Sequence, residues 1–412
     1  MPLVTGSVLS PRRFPCPLDF RGVAILLVVA WHYLGGPLGY HGGNANGGTL
    51  ARGPLALCWC GVDLFFVLSG YLIADILLQA RTATNYFAVF FIRRACRLLP
   101  LYAVTLLAFL VARNLLIDNV TVQPLFAPDS PPDWTYLIFA QNVGMASDHS
   151  FGPGWLAVTW SLAVEWQFYL AFPLLIRFAP PRILPWVAIG ALFFGPMVRA
   201  VMPPVAGYVS LVSRADAFLA GALVAYLLRE TAIVRVLVTE LAWVKRVWCI
   251  LVMGLALMSI RAEAFGAVTP WYGTFTHTWL ALGFALTILI VLLDDRWWLT
   301  RTVCFAPLRY IGVVSYGIYL AHQPVNWLLH GLLNSSRPQV ADGVGIGLTL
   351  LAGLSSLLIA TAAYLTFEQW FIAWGRQVRY RYDQRPTEAL VQTPPPSRSE
   401  TMTIRLPHAN AV

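Results

Sequence analysis

The chain has 412 residues, of which 58% are hydrophobic and only 11% charged, with a formal net charge of +9. A soluble domain carries roughly 25% charged residues, so a soluble globular surface is excluded, and recurring apolar runs near 20 residues long define a single helical membrane bundle. The basic excess is almost all arginine, with Lys245 the only lysine; in such a chain it reports topology and the anionic lipid surface, which sets a nucleic-acid partner aside.

Residues 1–17 are a Pro- and Arg-containing leader without a small-x-small cleavage site after the apolar run, so the first helix is expected to be retained. Span 1 covers residues 19–34 and holds Arg21 near its start and His32 eleven positions later, a rise of roughly 16 Å, about half the hydrocarbon thickness of a bilayer. A glycine-rich loop at 39–48 leads to span 2 at 55–78. The cluster Arg81, Arg93, Arg94 and Arg97 follows; the positive-inside rule puts it, and the leader with it, in the cytoplasm.

Residues 85–99 are aromatic on one side and basic on the other, the pattern of an amphipathic helix lying in the interface, and Pro100 suits the first turn of span 3, which ends near residue 117. The apolar stretch 134–145 is too short to cross and reads as a re-entrant or interfacial segment. Spans 4 to 10 follow at residues 160–178, 183–202, 208–228, 247–261, 275–293, 308–332 and 344–367. The expected fold is an all-α integral membrane protein of about ten transmembrane helices, with a membrane domain at 18–373 and both termini cytoplasmic. The basic, proline-containing residues 374–412 are expected to be a disordered tail. Six cysteines, Cys16, Cys58, Cys60, Cys96, Cys249 and Cys304, show no metal-ligand spacing and read as packing residues.

Ionisable residues inside a membrane are costly, which makes them functional candidates. By depth they sort into two groups: Arg21, Arg93, Arg94 and Arg97 towards the cytoplasm, and His32, Asp63, Glu165 and His322 towards the outer half. Guanidinium groups hold phosphate bidentately and stay charged, while imidazole and carboxylate in a dry cavity suit proton transfer. Plainer roles stand beside these. The arginines could be positive-inside anchors, Asp63 suits pairing within the bundle, and Glu165 is favoured near a helix start by the dipole alone. His41, His149 and His277 lie in or near loops and read as solvated, and Gly70 after Ser69 suits close helix approach.

Six segments together resemble the acyltransferase 3 family of multi-pass membrane acyltransferases, over about residues 18–373. They are Arg21 with His32; Gly61-Val62-Asp63-Leu64-Phe65-Phe66-Val67-Leu68-Ser69-Gly70-Tyr71; Arg94-Ala95-Cys96-Arg97; Trp160-Ser161-Leu162-Ala163-Val164-Glu165; Arg214-Ala215-Asp216; and Ser315-Tyr316-Gly317-Ile318-Tyr319-Leu320-Ala321-His322. A second acidic residue often follows the Glu165 position in the family; here it is Trp166, which leaves Glu165 as the sole carboxylate there. The resemblance implies transfer of an acyl group, usually acetyl from acetyl-coenzyme A, to a hydroxyl of a carbohydrate or a glycosylated small molecule, in the cell (inner) membrane. No permanently bound cofactor and no metal are implied. Arg21, Arg94 and Arg97 would hold the donor, and His32 would act as general base or transient acyl carrier, with Glu165 orienting it. Asp63, Ser69, Arg214, Asp216, Ser315, Tyr316, Tyr319 and His322 complete the implied site. The alternative from another class is a proton-coupled transporter or flippase whose buried His and Glu carry protons.

Overall fold

The computed structural model describes residues 19–35, 55, 57–126, 131–265 and 270–383, with only the backbone for 259–265 and 270–272. The leader and the glycine-rich loop at 39–48 lie outside the described residues, as do 384–412. Helix α1 (Asp19–Ala30) runs into a widened π turn, Trp31–Gly35, and α2 (Gly61–Ala80) follows a 3-10 turn, Cys58–Cys60. Next come α3 (Tyr86–Leu116), the short α4 (Asp133–Leu137) and α5 (Gln141–Ser147), α6 (Trp160–Phe178) and α7 (Leu184–Val201). They are followed by α8 (Pro204–Val209), α9 (Leu211–Leu227), α10 (Thr231–Thr239), α11 (Leu241–Phe265) and α12 (Pro270–Leu293). The last are α13 (Trp298–Val303), α14 (Ala306–Asn334) and α15 (Gly343–Ala363), which continues through a π turn, Tyr364–Glu368, into α16 (Gln369–Gln377).

Among the described residues, seven helical segments are long and apolar enough to cross a membrane: Cys58–Ala80, Tyr86–Leu116, Pro181–Val201, Pro204–Leu227, Leu241–Met258, Gly273–Leu293 and Gly343–Gln377. Length and apolarity alone therefore do not reach the expected ten. The three that fall short are the spans at 19–34, 160–178 and 308–332. Residues 20–35 are apolar but short, while α6 and α14 carry Glu165, Gln167, His322, Gln323 and Asn326 within their apolar runs.

One expectation is corrected, and the re-entrant segment is not confirmed. The amphipathic stretch at 85–99 is not a separate interfacial helix but the first half of α3, whose 31 residues run through Pro100. A proline there removes one backbone bond, which neighbouring helices in a membrane bundle tolerate. At ~1.5 Å per residue α3 is roughly 46 Å long, enough to carry its arginines at one end and still cross. Residues 134–145 form no single segment; they fall into α4 and α5, which are sewn to their neighbours where Tyr102 donates to the Tyr136 carbonyl (3.0 Å) and Gln141 to the Thr159 carbonyl (3.0 Å).

The bundle is organised around α2, 72% of whose apolar stretch is buried, against none for α11 at the periphery. Small residues bring α2 and α9 into backbone contact: a Cβ on Gly70 would overlap the Phe218 carbonyl oxygen, and one on Gly221 the Val67 carbonyl oxygen. That reciprocal approach is the small-residue seam of membrane helix pairs. Outward faces are apolar, with Leu107, Phe193 and Leu350 well exposed, as a lipid-facing surface requires. At the other end, Arg93 donates to the Val378 carbonyl, and Asn85 holds the backbone of Arg379 and Arg381. Helix α16 spans residue 374, and the described chain continues to 383. Cys58, Cys60 and Cys96 are buried and Cys249 is exposed, but Cys304 is disulfide-bonded and so is more than a packing residue; Cys16 lies outside the described residues.

Candidate active site

Two of the cavities against α1 carry the expected polar residues, and residues of α6 and α14 separate them. The first, of ≈ 70 Å³, is bordered by Arg21, Arg97, Ser69, Glu165, Tyr169 and the α14 residues Ser315, Tyr316 and Tyr319. The second, of ≈ 520 Å³, is bordered by His32, His277, Gln323 and a ring of aromatics that includes Trp31, Trp59, Trp160 and Tyr208. Val62 and Tyr319 border both. The Tyr319 phenol donates to the Val158 carbonyl (2.8 Å), and the Ser161 hydroxyl lies 2.7 Å from it, so the partition is pinned to the start of α6.

One face of α6 leads from the partition into the arginine cavity, because Ser161, Glu165 and Tyr169 are spaced four apart. Ser69 and Tyr169 both donate to Glu165 Oε1. Arg94 stacks over Tyr169 at 5.6 Å and over Phe90 at 5.7 Å, and its buried Nε has no partner among the described residues. Arg21 lies in the field of Arg97, Glu165 and Arg94. Glu165 is therefore among the arginines and not beside His32. Glu165 lies one turn beyond Ser161, which is held at the partition by Tyr319, and this places it deeper than the outer half where its expected depth put it. Arg93 turns away to the carboxy-terminal segment, where it also covers Tyr380 at 5.3 Å. Tyr316 donates to the Leu98 carbonyl (2.9 Å) and Ser315 to that of Gly312 (2.9 Å), which fixes the α14 wall.

A carboxylate absent from the sequence reading joins this group. Glu368, in the π turn after α15, is 2% exposed, and neither oxygen has a hydrogen-bond partner among the described residues. It lies in the field of Arg97 and Arg21. Three arginines (Arg21, Arg94, Arg97) then face two carboxylates (Glu165, Glu368), a surplus of positive charge with an unpaired guanidinium nitrogen, which fits an anionic ligand.

His32 sits in the widened turn that ends α1. Its Nδ1 lies 3.0 Å from the Val28 carbonyl and 3.1 Å from His322 Nε2. His322, buried, has Nδ1 on the carbonyls of Tyr319 (2.7 Å) and Ile318 (3.1 Å), and Tyr33 donates to the His322 carbonyl (2.8 Å). The carbonyls only accept, so His322 Nδ1 carries a proton; in the neutral pair its Nε2 accepts from His32 Nδ1, and His32 Nε2 is left as a bare base. The arrangement is a base oriented by a second group, the general form of a catalytic pair.

The remaining expected site residues form buried pairs. Arg214 donates to Asp63 Oδ1 (2.7 Å), both fully buried, and His277 Nδ1 lies 3.3 Å from the same oxygen. Asp216 pairs instead with Arg199 (2.8 Å), which is also held by Thr278. Neither Asp216 nor Arg214 borders either of these two cavities. His277, expected to be solvated, is 7% exposed and borders the histidine cavity. The expected span began at 275, whereas α12 starts at Pro270, which moves His277 a further turn inside.

A polytopic helical membrane protein with a charged cavity and an aromatic-histidine cavity on either side of one tyrosine is the class that fold and site define. Residues 18–365 match the acyltransferase 3 family, an acyltransferase domain, and the chain belongs to that family. It is 28% identical over 332 residues to the O-acetyltransferase OatA of Staphylococcus aureus, covering 77% of this chain and 51% of the relative. It is 27% identical over 356 residues to the peptidoglycan O-acetyltransferase OatA of Listeria monocytogenes, covering 80% and 52%. The chain thus spans about half the length of these curated relatives. No solved structure matches it.

Proposed function

We propose that this protein is a membrane O-acyltransferase that moves an acyl group, acetyl in the first instance, from acyl-coenzyme A to a hydroxyl of a carbohydrate, with peptidoglycan-type glycan or a glycosylated small molecule as the acceptor class. The observation that carries the reading is the partition: an arginine cavity fit for an anionic donor and a cavity bordered by an oriented imidazole meet at Val62 and Tyr319. In this reading Arg21, Arg94 and Arg97 hold the anionic donor, and the ≈ 70 Å³ at Ser69, Glu165 and Tyr319 suits its acyl end. His32 Nε2 takes the proton of the acceptor hydroxyl as its oxygen attacks the acyl carbonyl and the thiolate leaves; the charge formed on His32 is shared through Nδ1 with His322 and the Val28 carbonyl. General-base assistance of this kind contributes typically 10²–10⁴-fold.

The topology that goes with this is ten crossings, with the short α1 and the more polar α6 and α14 enclosed by the seven apolar segments, both termini cytoplasmic and the arginine cavity on the cytoplasmic side. The resemblance of the relatives and the basic clusters support it. Labelled acetyl transfer in inverted membrane vesicles, comparing wild type with His32→Ala, tests the assignment: transfer at the wild-type rate in the variant would overturn the role of His32. Uptake of a solute down a proton gradient, with no covalent change to it, would instead support transport.

A further inference from the structure

His277 faces the same cavity as His32, yet the reaction as described makes no use of it. Its Nδ1 is 3.3 Å from Asp63 Oδ1, and a carboxylate that also holds Arg214 at 2.7 Å can only accept. The imidazole proton therefore sits on Nδ1 and the bare nitrogen is Nε2. That atom has no hydrogen-bond partner among the described residues and is not among the sealed polar atoms, so it is open to the cavity that the ring borders.

The charged groups around it are Asp63 on α2, Arg214 and Asp216 on α9, and Arg199 on α7; they form two ion pairs and leave no net charge to demand a cationic ring. Tyr208 and Trp59 flank the ring at 5.6 and 5.1 Å, and the other titratable groups on the cavity wall are His32 and the Tyr208 and Tyr319 phenols. Asp63 does not need the imidazole, because Arg214 already neutralises it at a shorter distance. What the pairing achieves is to fix the ring and its tautomer, with an acceptor nitrogen presented beside aromatic faces.

The two histidines differ in position. His32 touches His322, whose ring is 5.8 Å from Tyr319 at the partition, whereas His277 contacts Trp59 and Tyr208. A cavity with indole and phenol faces and one oriented acceptor suits a sugar ring, whose C–H faces lie on aromatics and whose hydroxyls need polar partners.

We propose that His277, oriented by Asp63, is the acceptor-binding residue of the histidine cavity: its Nε2 accepts a hydrogen bond from a sugar hydroxyl other than the one acylated, and so sets which hydroxyl meets His32. The proposal rests on the acyltransferase reading, and the test separates the two. Full-length protein in lipid nanodiscs is titrated calorimetrically with a β-1,4-linked N-acetylglucosamine tetramer and, separately, with acetyl-coenzyme A, for wild type, His277→Ala and His277→Gln. Transfer of labelled acetyl to the same tetramer is followed in parallel. The expected result is that wild type binds the tetramer, that His277→Ala weakens this about tenfold, that the glutamine amide restores most of it, and that acetyl-coenzyme A binds all three alike. Unchanged tetramer affinity in His277→Ala overturns the proposal, as does equal loss of tetramer and acetyl-coenzyme A binding, which marks a structural role. Wild type that fails to bind the tetramer overturns it together with the carbohydrate reading. Intact, His277-dependent tetramer binding without any acetyl transfer overturns the acyltransferase reading alone.

Discussion

The arginine cavity and the histidine cavity share Val62 and Tyr319 on their walls but answer different chemical demands. The first is narrow, ≈ 70 Å³, and carries Arg21, Arg97 and Glu165 on its wall among serine and tyrosine hydroxyls, with Arg94 and Glu368 nearby. The second is wide, ≈ 520 Å³, and among the described residues has no ion pair on its wall, where His32, His277 and Gln323 stand among aromatic rings. Fixed charge in a confined space selects a charged ligand and holds it; oriented neutral bases in a roomier aromatic space suit a neutral ligand that must lose a proton. The difference teaches that buried ions serve the two sides differently: at the arginine cavity they leave a surplus of positive charge for a ligand, while behind the histidine cavity Asp63 with Arg214 and Asp216 with Arg199 balance one another and leave neutral imidazoles at the wall.

Four changes break or sharpen that contrast. The largest effect belongs to His32→Ala, expected to lower kcat for acetyl transfer by about 10²–10⁴-fold with the affinity for acetyl-coenzyme A unchanged, measured by labelled transfer and by direct binding. The counterpart is Arg97→Ala, expected to raise KM for acetyl-coenzyme A about 10- to 100-fold, the value of a charged hydrogen bond of about 1.5–3 kcal/mol, while glycan affinity stays as it was. A variant that shifted both ligands equally would abolish the distinction between the cavities.

Gly221→Val tests the frame that both cavities rest on. Its added Cβ overlaps the Val67 carbonyl, and overpacking of this kind costs about 1–3 kcal/mol, seen as a lower unfolding temperature in detergent with both ligand affinities reduced together. The smallest effect is expected at the membrane edge, where the Lys245 ammonium holds the Asp294 carboxyl below its usual range. A carboxyl so depressed contributes stability that is present above its unfolded value of ~3.9 and lost as pH falls through the folded one. Asp294→Asn is expected to cost about 0.2–1 kcal/mol near neutrality, and nothing once the medium is acid enough to protonate Asp294 in the wild type, read from thermal stability at several pH values.

Part of the site was legible from residue type and spacing, and the serines and tyrosines only from the family resemblance. Arg21 and His32 lie on one helix, and that alone separates them by about half a membrane thickness. Seven expected site residues, Arg21, Arg97, Ser69, Glu165, Ser315, Tyr316 and Tyr319, do gather at one cavity. The partner of His32 was not legible as such: His322 was visible as a buried histidine, but the expected orienting group was Glu165. The misses share a cause. His277 stood just inside the expected start of a span and Glu368 one residue beyond the end of another, and both helices run further than the apolar pattern does. Hydrophobic periodicity marks where lipid touches a helix, and a helix end that is buried in protein carries no such mark.

By itself the sequence determined the membrane class, the helical architecture, the arginine-to-histidine spacing along α1 and the small residues that let α2 and α9 meet. Those follow from local quantities: charge density, apolar run length, rise per residue and side-chain size. Only the tertiary structure decided that α3 is continuous through Pro100, that Glu165 belongs with the arginines, that Asp63 and Asp216 are held by different guanidinium groups, and that Asp63 aims a second imidazole into the histidine cavity. Each of these depends on which of several equally polar neighbours lies within hydrogen-bond reach, and in a low-dielectric interior that is set by how helices far apart in sequence are rotated against one another.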